Sequence, residues 1–353
     1  MSKKIAVIGG DGIGPEVVAE GVKVLEALAE LRGWDLDLLP FELGADRYLR
    51  DGTTFPREVA DTIASECDAV LLGALGDPRV PDMAHARDIL FGLRFGLDLY
   101  CNVRPIVCLH DSLMPLKKWR AADCDFVVFR ENTEGIYVGV GGQFKKGTPD
   151  EIAIQEDINS RKGVERIIRA AFEHARQAGA KTVHMADKHN AMPHAHELWL
   201  RCFQEVAEEY PGIEARHVFV DAMCLFMVQD PSQFEVVVTC NLFGDILTDL
   251  GAALQGGMGM AASGNVNPGK VSMFEPVHGS APPLAGKDVA NPLATILTVG
   301  MLLTHLGFEG EEARLTALVR EAIETGHCTA EVGGRLGTRA TGDWIVERLR
   351  QTA

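Results

Sequence analysis

The chain has 353 residues, 46% hydrophobic and 24% charged, a balance that suits a large folded core and excludes wholesale disorder. Fifty acidic against 34 basic side chains leave a formal net charge of -16, and no arginine-rich block or basic stripe is present, so no nucleic-acid partner is expected. The first apolar stretch is too short for a signal peptide, and no run of about 18 apolar residues exists, so neither secretion nor a membrane partner is expected.

In chain order, residues 4–8 read as a strand that runs into Gly9-Gly10-Asp11-Gly12-Ile13-Gly14. Pro15 and Glu16 then open a helix whose apolar face carries Val18, Val22, Leu25 and Leu28. The glycines serve either a plain strand-to-helix turn or the close approach of a ligand. Pro15 stands where a GxGxxG dinucleotide fingerprint needs glycine, so that binding mode is excluded. Residues 67–73 form a second buried strand. Phe126–Phe129, Val183–Met185, Val218–Val220 and residues 234–239 are also strand-like. Helices are expected near 162–178, ended by Gly179, and near 190–209. This alternation predicts an α/β fold. The segment 138–158 lacks helical periodicity and reads equally as a protruding β-arm or a surface loop. The eight cysteines are scattered without a CxxC pair. They predict free thiols in a reducing compartment, the cytoplasm.

Several side chains stand out as candidates for chemistry. Asp245 and Asp249 share one helix face by their i,i+4 spacing. They mark either an oxygen-only cation site for Mg²⁺ or Mn²⁺ or a solvated acidic face. Asp221, at a strand end, is a third carboxylate of the same kind. Arg94, Arg104 and Arg130 each border an apolar or strand-like stretch. They are either forks for substrate carboxylates or members of structural ion pairs. Tyr137 and Lys188 complete the set, Lys188 as a base if its surroundings lower its proton affinity, otherwise as a surface lysine. His278, in a stretch dense in turn formers, either stacks on a ligand ring or is held by loop hydrogen bonds.

Taken together, GDGIGPEV (10–17), NVRP (102–105), RENTEGIY (130–137), Lys188-x-Asn190, VDAM (220–223), NLFGDILTDL (241–250) and FEPVHGSAP (274–282) resemble, in this order, the motifs of the β-decarboxylating dehydrogenases. That family includes the isopropylmalate, isocitrate, homoisocitrate and tartrate/D-malate dehydrogenases. The resemblance spans nearly the whole chain and implies an enzyme. A hydrolase using the aspartates alone would not need Tyr137, Lys188 or the HGSAP loop. A regulatory relative that has lost catalysis would lack part of the arginine, lysine and aspartate set, all of which is present.

The resemblance implies two interleaved α/β domains with a central cleft. Residues 1–100 and 252–353 would form the dinucleotide-binding domain. Residues 101–251 would form the substrate and dimerisation domain, with its arm near 138–158. It further implies a homodimer in which Lys188 and Asp221 complete the site of the other subunit. Arg94, Arg104 and Arg130 would bind the carboxylates of a malate. Asp221, Asp245 and Asp249 would hold Mg²⁺ or Mn²⁺. Lys188 would take the C2 hydroxyl proton and Tyr137 would protonate C3. His278, Gly279, Ala281 and Asn291 would bind the dinucleotide.

Two departures bear on specificity. Pro283-Leu284 stands where NAD-using members usually carry an acidic residue and NADP-using members Lys-Tyr. With no cation offered to a 2′-phosphate, NAD is expected. Before Arg94, Leu90 and Phe91 offer an apolar wall that suits an isopropyl group. Such a wall discriminates by only about 1–3 kcal/mol per methylene. Arg87, near a position where isopropylmalate enzymes often carry Glu, weighs against it. The expected order of substrates is 3-isopropylmalate, then D-malate or tartrate, then isocitrate or homoisocitrate.

Overall fold

In a computed structural model, which describes residues 2–352, the chain divides into two compact units. The first comprises the residues up to Leu99, Val107–Cys124 and those from Ala252 onward; the second is Tyr100–Ile106 with Asp125–Gly251. The strands, in chain order, are β1 (Lys3–Gly10), β2 (Leu36–Pro40), β3 (Ala69–Ala74), β4 (Cys101–Val107), β5 (Asp125–Glu131), β6 (Gly141–Phe144), β7 (Ile152–Gln155), β8 (Thr182–Asp187), β9 (Glu214–Phe219), β10 (Val236–Thr239), β11 (Ala262–Val266) and β12 (Ser272–Pro276).

In the first unit the strand order is β2-β1-β3-β12-β11, parallel except for β11 against β12. β3 is buried at every position, as a parallel strand covered on both faces must be. One face carries Ile5, Leu71 and Phe274 against Val24, Leu28, Val299 and Leu303 of the helices Gly14–Arg32 and Leu293–His305. The other face packs Ile8, Val70 and Leu72 against Ile89 and Leu93 of the helix Ala84–Gly96. That helix therefore has its apolar side fixed by the sheet, which in turn fixes where Arg94 points.

In the second unit the order is β4-β5-β10-β8-β9, with β5, β10, β8 and β9 parallel. The helix Arg161–Ala178 starts at Ser160, whose Oγ accepts from the Gly163 N–H, and stops at Gly179 in the left-handed region. It buries Ile167, Ile168 and Phe172, each worth roughly 1.5–3 kcal/mol of apolar transfer. Phe172 meets Phe203 and Tyr210, so Phe172→Ala would leave a cavity costing about 3–5 kcal/mol. The segment 138–158 contains an antiparallel ribbon, β6 with β7, paired from Gly141–Gln155 to Phe144–Ile152. Val140, Phe144, Ile152 and Ile154 are exposed on it.

Helix limits shifted where turn chemistry intervened. The expected 190–209 helix begins only at Ala195, because residues 188–192 close a turn with the Met192 N–H donating to the Lys188 carbonyl. All eight cysteines are free thiols, and no helix among the described residues is long and apolar enough to cross a membrane.

Candidate active site

The second unit gathers most of the singled-out side chains. Arg130 is the penultimate residue of β5 and is 2% exposed; its guanidinium donates twice to Asn241 Oδ1, at 3.0 and 2.7 Å, and once to Asp245 Oδ1 at 2.5 Å. Asn241 and Asp245 lie four residues apart on the helix Asn241–Leu254, so one helix face presents both acceptors to one fork. Gly244 makes this approach possible. A Cβ there would stand 2.4 Å from Arg130 Cγ.

Arg104, on β4, donates to Thr248 Oγ1 at 2.5 Å and reaches Asp245 at 3.9 Å. Tyr137 donates its hydroxyl to Asp245 Oδ2 at 3.3 Å, with the Arg130 guanidinium 5.5 Å from its ring. Tyr137 is placed by the preceding turn. The buried Glu131 carboxylate accepts from the Thr133 and Glu134 N–H groups, and the Gly135 N–H donates to the Ile158 carbonyl.

The two aspartates respond oppositely to this setting. Burial raises the Asp245 carboxyl, but the charges of Arg130 and Arg104 outweigh it and hold the group below its ordinary range. Asp249 is raised, by burial and then by the charge of Asp245, which the arginines only partly offset. Two carboxylates that repel on one helix face, with oxygen donors only, fit a hard divalent cation such as Mg²⁺ or Mn²⁺. Asp249 itself is exposed.

Lys188 and Asp221 stand apart from that cluster. Lys188 Nζ donates to Asp221 Oδ1 at 2.5 Å and rests 5.4 Å from the Phe219 ring centroid. The bond to Lys188 holds the Asp221 carboxyl below its ordinary range. Among the described residues, Asp221, Asp245 and Asp249 do not converge within one chain on a single ion position.

The first unit holds the remaining candidates. Arg94 is buried and donates to Glu275 at 3.1 Å, an ion pair inside the unit. Leu90 packs partly against the inner apolar cluster, whereas Phe91 stacks on Phe95 at 5.3 Å, and Phe95 is exposed.

The glycines of residues 9–14 are required by the protein's own backbone. A Cβ on Gly10 would lie 2.1 Å from the Ala74 carbonyl oxygen, and one on Gly12 would lie 2.0 Å from that of Ser280. The Ile13 N–H donates to the same Ser280 oxygen at 2.8 Å. This loop is therefore the floor of the His278–Pro282 turn. In that turn Gly279 is exposed and Ala281 takes a left-handed φ of 39°. His278 Nδ1 faces the Gly279 carbonyl at 3.1 Å, while its Nε2 is buried without a hydrogen-bond partner. Burial pushes the imidazole below its ordinary pKa. A neutral ring with an unsatisfied nitrogen fits the polar edge of a nucleotide base. Asn291 is buried, and its Oδ1 accepts from the Leu293 N–H at 3.2 Å at the start of the helix Leu293–His305.

A family profile, isocitrate/isopropylmalate dehydrogenase, matches residues 4–346. The chain belongs to this family. It is similar to the 3-isopropylmalate dehydrogenase of Thermobifida fusca, 47% identical over 99% of this chain and 98% of that one. It is also similar to that of Beutenbergia cavernae, 49% identical over 96% and 98%. Among solved structures it resembles the isocitrate dehydrogenase of Methylococcus capsulatus, with a TM-score of 0.89, 38% identity and coverage of 99% and 100%. The family match extends over both units, so the chain is a β-decarboxylating dehydrogenase with the α/β architecture of that family.

Some members of this family site carried no sequence signal of their own. Asn241 and Thr248 hold the two arginines, yet neither is ionisable. Their only trace is their spacing from Asp245 along the helix. Asp11 is embedded in the glycine motif, where nothing in the local sequence marks it out. It accepts from the Ala45 N–H and Gly76 N–H, each at 2.7 Å, and pairs with buried His85 at 2.9 Å.

Proposed function

We propose that the chain oxidises and decarboxylates 3-isopropylmalate with NAD and Mg²⁺ or Mn²⁺, as a cytoplasmic homodimer with shared active sites. The observation that carries this reading is the convergence of Arg104, Arg130 and Tyr137 on Asp245, one turn from Asp249. The names of the relatives from Thermobifida and Beutenbergia support the substrate, and the Phe91–Phe95 surface supports an apolar substituent.

The roles follow from chemistry. A cation held by Asp245, Asp249 and Asp221 would supply Lewis-acid chemistry that lowers the proton affinity of the C2 hydroxyl, and NAD would supply the hydride acceptor. Arg104 and Arg130 fork onto the substrate carboxylates and fix which C2 face is offered, and Arg94 is assigned to carboxylate binding as well. Lys188 Nζ takes the hydroxyl proton as the hydride departs. The bond from C3 to its carboxylate then breaks, CO₂ leaves, and the electron pair enters the C2–C3 bond. Tyr137 returns a proton to C3.

The unit containing Lys188 and Asp221 is proposed to face a second copy. The exposed apolar ribbon of β6 and β7 supports an arm at 138–158, and the separation of Asp221 from the Asp245–Asp249 pair within one chain supports a shared metal site. In such a dimer Asp221 would be a ligand to the cation rather than the partner of Lys188, and Nζ would be free to act as a base. The first unit, with His278, Gly279, Ala281 and Asn291, is assigned to the dinucleotide, and the free cysteines support the cytoplasm.

The test is reduction of NAD and NADP by purified protein with 3-isopropylmalate, D-malate, tartrate and isocitrate. The highest kcat/KM with 3-isopropylmalate and NAD is expected. A preference for isocitrate or D-malate would replace the substrate while leaving the reaction class in place.

A further inference from the structure

We propose that Asp187, His189 and His217 form a second metal site, selective for a nitrogen-preferring divalent cation such as Zn²⁺. Asp187 ends β8 and is fully buried; His189 follows two residues later, and His217 lies on the neighbouring strand β9, paired by register to Met185. His217 Nε2 stands 2.7 Å from Asp187 Oδ1, and His189 Nδ1 stands 3.0 Å from Oδ2. One ligand atom from each residue lies within 4.8 Å of the others. Among the described residues this is the one His, Cys, Asp and Glu trio with that property.

The physical case rests on charge and on fixed geometry. Asp187 is 0% exposed, and among the described residues its ion-pairing partners are these two imidazoles; no lysine or arginine is one of them. The imidazoles meet its oxygens by hydrogen bonds, and a divalent cation between the three groups would offset the cost of burying the carboxylate directly. Both rings are held in place by aromatic contact. Each centroid is 5.0 Å from that of Phe219, and the two imidazoles are 5.0 Å from each other. Both histidines are about a quarter exposed, which leaves one side of the trio open to solvent.

Two nitrogens and one carboxylate oxygen, with an open fourth position, form a donor set that prefers Zn²⁺ or Co²⁺ over Mg²⁺. Metal bonds of about 2.0–2.2 Å need ligand atoms roughly 3 Å apart, and the single oxygen Asp187 Oδ1 already stands 2.7 Å from His217 Nε2 and 3.2 Å from His189 Nδ1. An ion here would tie the ends of β8 and β9. Those ends carry Lys188, between Asp187 and His189, and Phe219, two residues before Asp221. The site is distinct in donor type from the all-oxygen set of Asp245 and Asp249.

The test is titration of the full-length Asp245→Asn protein with Co²⁺ in excess Mg²⁺, followed by visible absorption, with Zn²⁺ then added as competitor. The expected result is one equivalent of Co²⁺ giving d–d bands of a nitrogen-ligated four- or five-coordinate ion, abolished by Zn²⁺. The bands are expected to be absent when His217→Gln or His189→Gln is added. Zn²⁺ should raise the melting temperature of the parent protein and leave that of the His217→Gln protein unchanged. Both histidines are partly exposed, so these variants keep the fold, and far-UV circular dichroism verifies it. Absence of d–d bands in the parent, or bands that persist in both histidine variants, would overturn the proposal.

Discussion

The Arg130 guanidinium closes on the Asp245 carboxylate at 2.5 Å from a position almost wholly out of solvent. A buried arginine needs such partners, because an uncompensated guanidinium in the interior is strongly destabilising. Asn241 supplies the other acceptor. Arg130 thereby sets the orientation of Asp245 and leaves its second oxygen facing Tyr137.

Gly244→Ala tests how tightly that relationship is packed. The added Cβ would meet Arg130 Cγ at 2.4 Å, Cβ at 2.7 Å and Cδ at 2.8 Å, all near the root of the side chain, where little adjustment is possible. We expect a stability loss of about 1–3 kcal/mol from overpacking and a fall in kcat/KM of at least about tenfold. Thermal melts and steady-state kinetics measure both. Wild-type values would show that Arg130 has room to move.

Tyr137→Phe removes the hydroxyl 3.3 Å from Asp245 and little else. Loss of a general acid is expected to lower kcat by roughly 10²–10⁴ with KM nearly unchanged. A purely structural tyrosine would instead show a small change in kcat and a lower melting temperature.

Lys188→Ala and Asp245→Asn should each be inactive when purified alone. If the sites are shared, denaturing and refolding an equal mixture creates hybrids in which one site is wholly wild type, restoring about a quarter of full activity. Continued inactivity of the mixture, with hybrids verified by mass spectrometry, would mean that Lys188 serves the Asp245 of its own chain.

His184, on β8, predicts a pH dependence of folding. Burial, with a smaller contribution from the Arg216 charge, lowers its imidazole from the ordinary 6.5 to about 4, and the ring lies edge-on to Phe234 at 4.9 Å. Because its folded pKa is depressed, its stabilising contribution is present above pH 6.5 and is lost as pH falls toward and through about 4. That loss is on the order of 3 kcal/mol. Urea unfolding at pH 7 and pH 4.5 should show a smaller difference for His184→Gln than for the parent chain. Equal differences would assign the acid sensitivity elsewhere.

Much of this arrangement was legible in the sequence, for identifiable reasons. The buried parallel strand β3 reads as a continuous apolar run, and Pro15 and Gly179 punctuate helices in the usual way. Asp245 and Asp249 announced themselves by carrying charge at helical spacing in an otherwise apolar segment. The supports did not, because Asn241, Thr248 and Asp11 act through hydrogen bonds to groups far away in the chain. Asp11 and His85 are 74 residues apart, and Arg130 and Asn241 are 111. The role of the glycines in residues 9–14 was also ambiguous. Only the positions of the Ala74 and Ser280 carbonyls show that the protein's own backbone requires them.

The most direct measurement is Mn²⁺ binding by electron paramagnetic resonance, with and without 3-isopropylmalate, on the parent chain and on Asp245→Asn. One Mn²⁺ per chain is expected, tightened at least about tenfold by the hydroxy acid through a coupling near 1.4 kcal/mol, with both effects lost in the variant. Equal Mn²⁺ affinity in the two proteins, or binding indifferent to 3-isopropylmalate in the parent, would contradict this expectation.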